Sequence, residues 1–382
     1  MNVVSKSQLL SSGVPARAWA DVDLDAVKHN VKLIGEAVAP ARIMAVVKAD
    51  GYGHGAVQVS RAALEAGATR LAVATLREAS ELRLAGIDAP IQVLGVILEG
   101  TEGFLIELGR AVGTVSTLRE AERLALAAGR AGRSVRLHLK VDTGMHRLGA
   151  LRGEAEKLAR FLQENANVEF EGVMTHLAAA GGDRAYTRAQ LTAFDDFLAW
   201  LDSEGLRPPI VHAANSAALA LHPEARYDMV RPGLAIYGIS GSPEVQESMD
   251  LRPAMGLCAR IVNVKRLEAG EPVGYNCTWR AKRASVIATA SIGYADGLRT
   301  LLSNRGSALV RGRRVPVVGR VSMDFTALDV TGLGDVNPGE EAVFFGRQGE
   351  AEIPVEEAAA SMDSIPYELI CGVSFRVWRI TK

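Results

Sequence analysis

The stretch Arg42–Ala66, RIMAVVKADGYGHGAVQVSRAALEA, decides how the N-terminal part of the chain folds. It opens on an apolar, partly β-branched run, crosses a loop containing Gly51, Gly53 and Gly55, and continues from Ala56 with apolar residues three and four apart. That order predicts a buried strand, a turn and an amphipathic surface helix, one βα unit. Working outward, strand runs fall near Arg42–Val47, Leu71–Ala74, Ile91–Val96, Ala111–Val115, Val135–Val141, Val168–Thr175, Ile210–Ala214 and Met229–Arg231. Helical stretches such as Leu118–Ala128 and Arg188–Leu201 separate them. Eight such units predict an α/β fold, a (β/α)8 TIM-type barrel around a parallel sheet.

After about Gly241 the texture changes to short alternating runs punctuated by Gly, Pro and Arg, as in ALVRGRRVPVVGRVSM, with little helical periodicity. A second, mainly β domain is expected there. The barrel is expected over 15–241 and the β domain over 242–382, joined through the polar, proline-bearing segment Ser240–Arg252, with the N-terminal segment before Asp23, residues 1–14 within it, adding a strand to the β domain. A length of 382 residues leaves each domain room for a core of its own.

Lys plus Arg number 43 against 44 Asp plus Glu, so no basic field exists to hold nucleic acid or an anionic membrane, and the expected partner is a small molecule. Cys258, Cys277 and Cys371 lie far apart without a CxxC pair, which gives neither a zinc site nor a disulfide framework and suits a reducing compartment. No metal is expected. The N-terminus lacks a signal-type apolar core and no run reaches about 18 apolar residues, so a cytoplasmic location is expected.

Polar residues at strand ends matter in such a barrel, because the following loops converge on one face. Lys48 ends the first strand in IMAVVKADGYGHG. The ordinary fate of a lysine here is solvation at a loop start. The functional alternative is a Schiff-base lysine, whose amine becomes nucleophilic when burial and neighbours lower its pKa from about 10.4.

At this motif the chain resembles the alanine racemase family. The resemblance continues through KVDTGMHRLG with Lys140 and Arg147, MTHLA with His176, HAANSAA with Ser216 and MVRPGLAIYG with Arg231 and Gly233, then VGYNCTW, IGYADG, GRVSMDF and PYELICG. It implies a pyridoxal-phosphate-dependent isomerase that interconverts L- and D-alanine, supplies D-alanine for peptidoglycan and works as a homodimer with shared active sites.

Residue by residue, the resemblance implies that Lys48 carries the cofactor and serves as one base, and that Tyr275, from the partner subunit, serves as the other. Two bases are needed because a proton taken from one face of the α-carbon must return on the other. His176 would link Tyr275 to Arg231, and Arg231 would face the cofactor's ring nitrogen. A guanidinium gives up no proton there, so the ring nitrogen stays unprotonated and the electron sink is weaker. Arg147 would meet the phenolic oxygen and the substrate carboxylate, and Lys140 matches a position often carbamylated in the family, a plain lysine being the alternative. Tyr52, Ser216, Tyr367 and the N–H groups of Gly233 and Leu234 would hold the phosphate. Met323 would face the substrate carboxylate, with Tyr294 and Asp324 at the entrance.

The chain departs from the family pattern at Gly181, where an acidic residue is common, at Thr300 beside Arg299, and at Asn276, where glycine is common. Two rivals remain open at this stage. A barrel-fold amino-acid decarboxylase shares cofactor and plan but is disfavoured by Arg231, and a non-catalytic cofactor-binding barrel would lack the β domain.

Overall fold

The computed structural model describes residues 4–5 and 16–382. Contacts divide the chain into two compact units, one of residues 27–51 and 56–252, the other of 1–26, 52–55 and 253–382.

The first unit is an eight-stranded parallel sheet: β1 (Arg42–Val46), β2 (Arg70–Val73), β3 (Ile91–Val93), β4 (Ala111–Val115), β5 (Val135–Lys140), β6 (Val168–Met174), β7 (Ile210–His212) and β8 (Met229–Val230). From β1 to β7 each strand pairs with the next, and β8 pairs with β1, Met229 opposite Arg42. Between β7 and β8 the ring is drawn together by Asp228 N–H to Val211 O (3.1 Å) and Arg231 N–H to Ala214 O (2.8 Å). The strands are buried almost throughout because helices cover one face and barrel side chains the other. Helix Leu118–Arg130 shows why these segments are helical. Thr117 and Glu120 form a capping box, and Ala121, Leu124, Ala125 and Ala128 bury one face.

The second unit is mainly β, as expected. Its main sheet is built around the long strand Met255–Leu267, which pairs with Ala18–Val22, Ser285–Ala290 and Glu341–Gln348. Ala18–Val22 also pairs in parallel with the C-terminal strand Trp378–Thr381, on whose other edge lie Val4 and Ser5. AWADV at 18–22 finds its partners in the β sheet and counts with that unit, a strand added from the segment before Asp23. Two differences concern helices. Pro243–Ser248 is helical inside the expected connection, capped by Ser242, and Val355–Ala360 and Pro366–Gly372 add helix to the β unit.

Candidate active site

Lys48 begins where β1 runs out, and the backbone after it turns in an unusual sense. Ala49, Asp50, Gly51 and Tyr52 all have φ between +50° and +61°. L-residues other than glycine pay about 1–2 kcal/mol each for the left-handed region, so Ala49, Asp50 and Tyr52, three of four successive residues, persist there only because the surroundings over-determine them. Ala49 N–H reaches Glu78 Oε1 (2.7 Å), Gly51 N–H reaches Val47 O (2.9 Å), and Asp50 Oδ1 accepts from Ala56 N–H (3.0 Å). Glu78 thus serves both this turn and the capping box of the helix Leu76–Leu84.

Arg231 follows β8 and is 3% exposed. Burial pushes its guanidinium pKa down to about 9, still charged at neutral pH. Its Nη2 donates to Thr175 O (2.7 Å), Ala213 O (3.0 Å) and His176 Nδ1 (3.3 Å), and its Nη1 to His212 Nδ1 (2.9 Å). Among the described residues these bonds use Nη1 and Nη2 alone, leaving the edge at Nε for another acceptor.

Positive charge gathers here. His176 is lowered to about 3 by burial, then by Arg231, Lys140, Arg147 and Lys48, so it is neutral at pH 7. Lys140, 5% exposed at the end of β5, is lowered to about 8 by burial, then by Arg231 and Arg147, with Asp142 opposing and Lys48 adding to the fall. The barrel thus brings five of the expected residues, Lys48, Lys140, Arg147, His176 and Arg231, within electrostatic reach of one another.

Ser216 opens the helix Ser216–Leu221, capped by Asn215, whose Oδ1 accepts from Ala218 N–H (3.0 Å). Its Oγ accepts from Gly233 N–H (2.9 Å) and Ala235 N–H (3.2 Å). The Gly233 N–H therefore turns to this hydroxyl. With both lone pairs engaged, the hydroxyl keeps its own O–H as a donor. Leu234 opens the 3-10 turn Leu234–Tyr237 beside it.

Within the second unit, Tyr52 is buried and stands 6.0 Å, centroid to centroid, from the ring of Tyr367. Tyr275 lies on a 3-10 turn and is 70% exposed. The Asn276 that replaces a common glycine has φ +60°, a left-handed conformation that Asn tolerates better than most residues. Met323 and Asp324 are stitched to Tyr294: Tyr294 N–H donates to Ser322 O (3.0 Å) and Ala295 N–H to Met323 O (3.1 Å). Arg376 Nη2 holds Asp324 Oδ1 at 2.5 Å. Arg299, beside Thr300, pairs with Glu368 at 3.3 Å.

Sequence reading passed over His212, His138 and Glu171, which lie in strands β7, β5 and β6. The signal that could have found them is a charged or imidazole side chain inside an otherwise apolar run, RLHLK and PIVHA, where burial demands a partner.

Residues 22–241 match the family described as alanine racemase, N-terminal domain, and residues 254–381 match alanine racemase, C-terminal domain. An alanine racemase of Symbiobacterium thermophilum is 48% identical over 373 residues, covering 94% of this chain and 96% of its own. The crystal structure of alanine racemase from D-cycloserine-producing Streptomyces lavendulae is 38% identical, with a TM-score of 0.92 over 97% of this chain and 98% of that one. The Bartonella henselae alanine racemase, solved with covalently bound pyridoxal phosphate, is 30% identical with a TM-score of 0.87 over 96% of this chain and 100% of that one. Matched in both domains and alike in sequence and fold over nearly its whole length, the chain belongs to the alanine racemase family and is an isomerase.

Proposed function

We propose that the protein interconverts L- and D-alanine with pyridoxal phosphate attached at Lys48, Lys48 and the Tyr275 of a second copy of the chain serving opposite faces of the α-carbon. The observation that carries the reading is the buried Arg231 guanidinium donating to His176 Nδ1 at 3.3 Å. A neutral histidine that accepts at Nδ1 bears its proton on Nε2, and an Nε2–H favours the phenolate form of a tyrosine brought to it.

The donor set fits the cofactor. A phosphate needs N–H and O–H donors, and Ser216 has only its O–H left to give. A ring nitrogen needs a donor that keeps its proton, which the Nε edge of Arg231 supplies. The phosphate roles of Tyr52 and Tyr367 rest on the family resemblance. When bound, the cofactor supplies an electron sink that acidifies the α-proton of an attached amino acid.

The chain's own residues do the rest. Lys48 Nζ takes or returns a proton on one face, and the Tyr275 hydroxyl does so on the other. Arg147 orients the substrate carboxylate, a task suited to a rigid fork of donors. Lys140, lowered to about 8, keeps roughly a tenth of its amines unprotonated at pH 7. That amine can add carbon dioxide with loss of a proton, placing a carbamate anion among the surrounding cations to orient Arg147. The exposed Tyr275 and the half-exposed Met323 suit residues that complete a neighbouring subunit's site. A cytoplasmic homodimer supplying D-alanine for peptidoglycan follows.

Incubation with L-alanine in D2O, followed by chiral separation and mass detection, tests the proposal. Approach to an equal mixture with deuterium on the α-carbon of D-alanine is expected. Deuterated L-alanine without D-enantiomer would overturn the second base, and carbon dioxide release from lysine, ornithine or diaminopimelate would replace the reading with a decarboxylase.

A further inference from the structure

A polar chain runs inward from Arg231 well past the atoms that the reaction touches. We propose that His212, His138 and Glu171 are positioning residues that fix which nitrogen of each ring carries its proton and so aim the Arg231 guanidinium. The proposal deepens the racemase reading and rests on it for its kinetic consequence, while its proton assignment stands on geometry alone.

From Arg231 Nη1 the chain passes to His212 Nδ1 (2.9 Å), from His212 Nε2 to His138 Nδ1 (2.7 Å), and from His138 Nε2 to Glu171 Oε2 (3.0 Å). Glu171 in turn takes both Nη atoms of Arg70, at 2.7 and 2.8 Å. Both rings are fully buried, and Glu171 nearly so. The two ends dictate the polarity between them. A guanidinium can only donate, so His212 Nδ1 accepts and its proton sits on Nε2. That proton goes to His138 Nδ1, which leaves the proton of His138 on Nε2, facing a carboxylate that can only accept. Two neutral rings satisfy every bond. A second proton on either ring would set donor against donor, at the other ring or at Arg231.

The surroundings are built for this arrangement. Gly172 leaves the space that the His138 ring occupies: a Cβ there would stand 2.5 Å from its Cε1. The β5–β6 register shifts between Leu137 and His138, at the ring itself. Burial opposes the charge on Glu171, but the bonds from His138 and Arg70 outweigh it and hold the carboxyl at about 2. Burial lowers both histidines as well, against the pull of Glu171 on His138. Because the same guanidinium also donates to His176, a shift of Arg231 toward or away from His212 changes what His176 presents at its outer nitrogen.

The test uses the holoenzyme, labelled with 15N-histidine, and two variants. In the unmodified protein His138, His176 and His212 should each show a protonated Nε2 and an unprotonated Nδ1. The double variant Arg70→Met/Glu171→Met removes the buried pair together, so no orphaned charge is left to unfold the barrel. In it His138 keeps its Nε2 proton but loses the acceptor for it, so the Nε2–H signal should move toward that of an unbonded imidazole, and kcat should fall about tenfold, one ordinary hydrogen bond's worth of positioning, with KM within about twofold. Arg70→Gln/Glu171→Gln, equally free of an orphaned charge and still offering an amide oxygen to His138 Nε2–H, should keep the bonded signal and most of the rate. A protonated Nδ1 on His212 in the unmodified protein, or unchanged kcat in a folded double variant, would overturn the proposal. Absence of racemisation in the unmodified protein would instead overturn the functional reading and leave the tautomers as assigned.

Discussion

Replacing Gly293 by alanine should disable the protein through two carbonyl oxygens. Gly293 has φ −151°, extended backbone open to any residue, so the obstacle is space rather than conformation. An added Cβ would lie 2.2 Å from Ser322 O and 2.4 Å from Met323 O. Ordinary carbon–oxygen approach is about 3.3 Å, so the Ser322–Met323 backbone must retreat by about 1 Å. These same oxygens accept the N–H groups of Tyr294 and Ala295. Losing both bonds costs about 2 kcal/mol, a fall of several degrees in Tm at fixed protein concentration. If Met323 faces the substrate carboxylate, a displacement of about 1 Å should lower kcat/KM for alanine by roughly 100-fold. Chiral product analysis and thermal unfolding would be run beside Gly103→Ala, where no atom lies within 4 Å of the new Cβ in the helix Glu102–Glu107. That control should keep its turnover and its Tm. Wild-type kcat/KM and Tm in Gly293→Ala would refute the reasoning.

Three other outcomes can be checked. Tyr275→Phe should cut racemisation by about 10²–10⁴, the worth of a general acid–base group, while α-proton exchange continues in the one enantiomer that presents its α-hydrogen to Lys48; loss of exchange in both enantiomers would mean that Tyr275 serves both faces. At fixed dissolved carbon dioxide, carbamate on Lys140 should rise from pH 7 to 9 as the amine passes its pKa of about 8, followed by 13C NMR with labelled bicarbonate, and a pH-independent or absent signal would remove that role. Stability should fall as pH drops below 6.5. His138, His176 and His212 have folded pKa values below their ordinary 6.5, so the unfolded chain binds protons that the folded one refuses. Three protons give a slope of up to about 4 kcal/mol per pH unit, and Glu171 adds the same sign below 4.5. A urea midpoint unchanged from pH 7.5 to 5.5 would contradict this.

The barrel strands were legible because each is an apolar, β-branched run, and their bodies fall where the sequence puts them. Their C-terminal ends are mostly shorter by one to three residues, as at Ile91–Val93 and Ile210–His212, because the chain peels off into the loops that carry the polar groups. That the segment before Asp23 joins the β sheet could be expected, but not that Ala18–Val22 lies between Met255–Leu267 and Trp378–Thr381, since a five-residue strand carries no mark of its particular partners. The left-handed turn after Lys48 was not legible either, since Ala49 and Asp50 are not residues that announce a positive φ. Among the site residues, lysine and arginine at strand ends could be singled out from position and motif. The buried polar chain behind Arg231 was marked only by His138 and His212 standing inside strand runs, and that they join each other is fixed by the folded register alone.

The parallel pairing of Ala18–Val22 with Trp378–Thr381 has a consequence for how the chain is made. Ala18–Val22 has no neighbour on that side until Trp378–Thr381, about 360 residues further along, has left the ribosome. At about 5–20 residues per second the wait is on the order of 20–70 s. The βα units, each contacting the next in sequence, can close during that interval. The β unit is therefore sealed last, and a nascent chain stalled before Trp378 would present an open strand edge to chaperones or to other nascent copies.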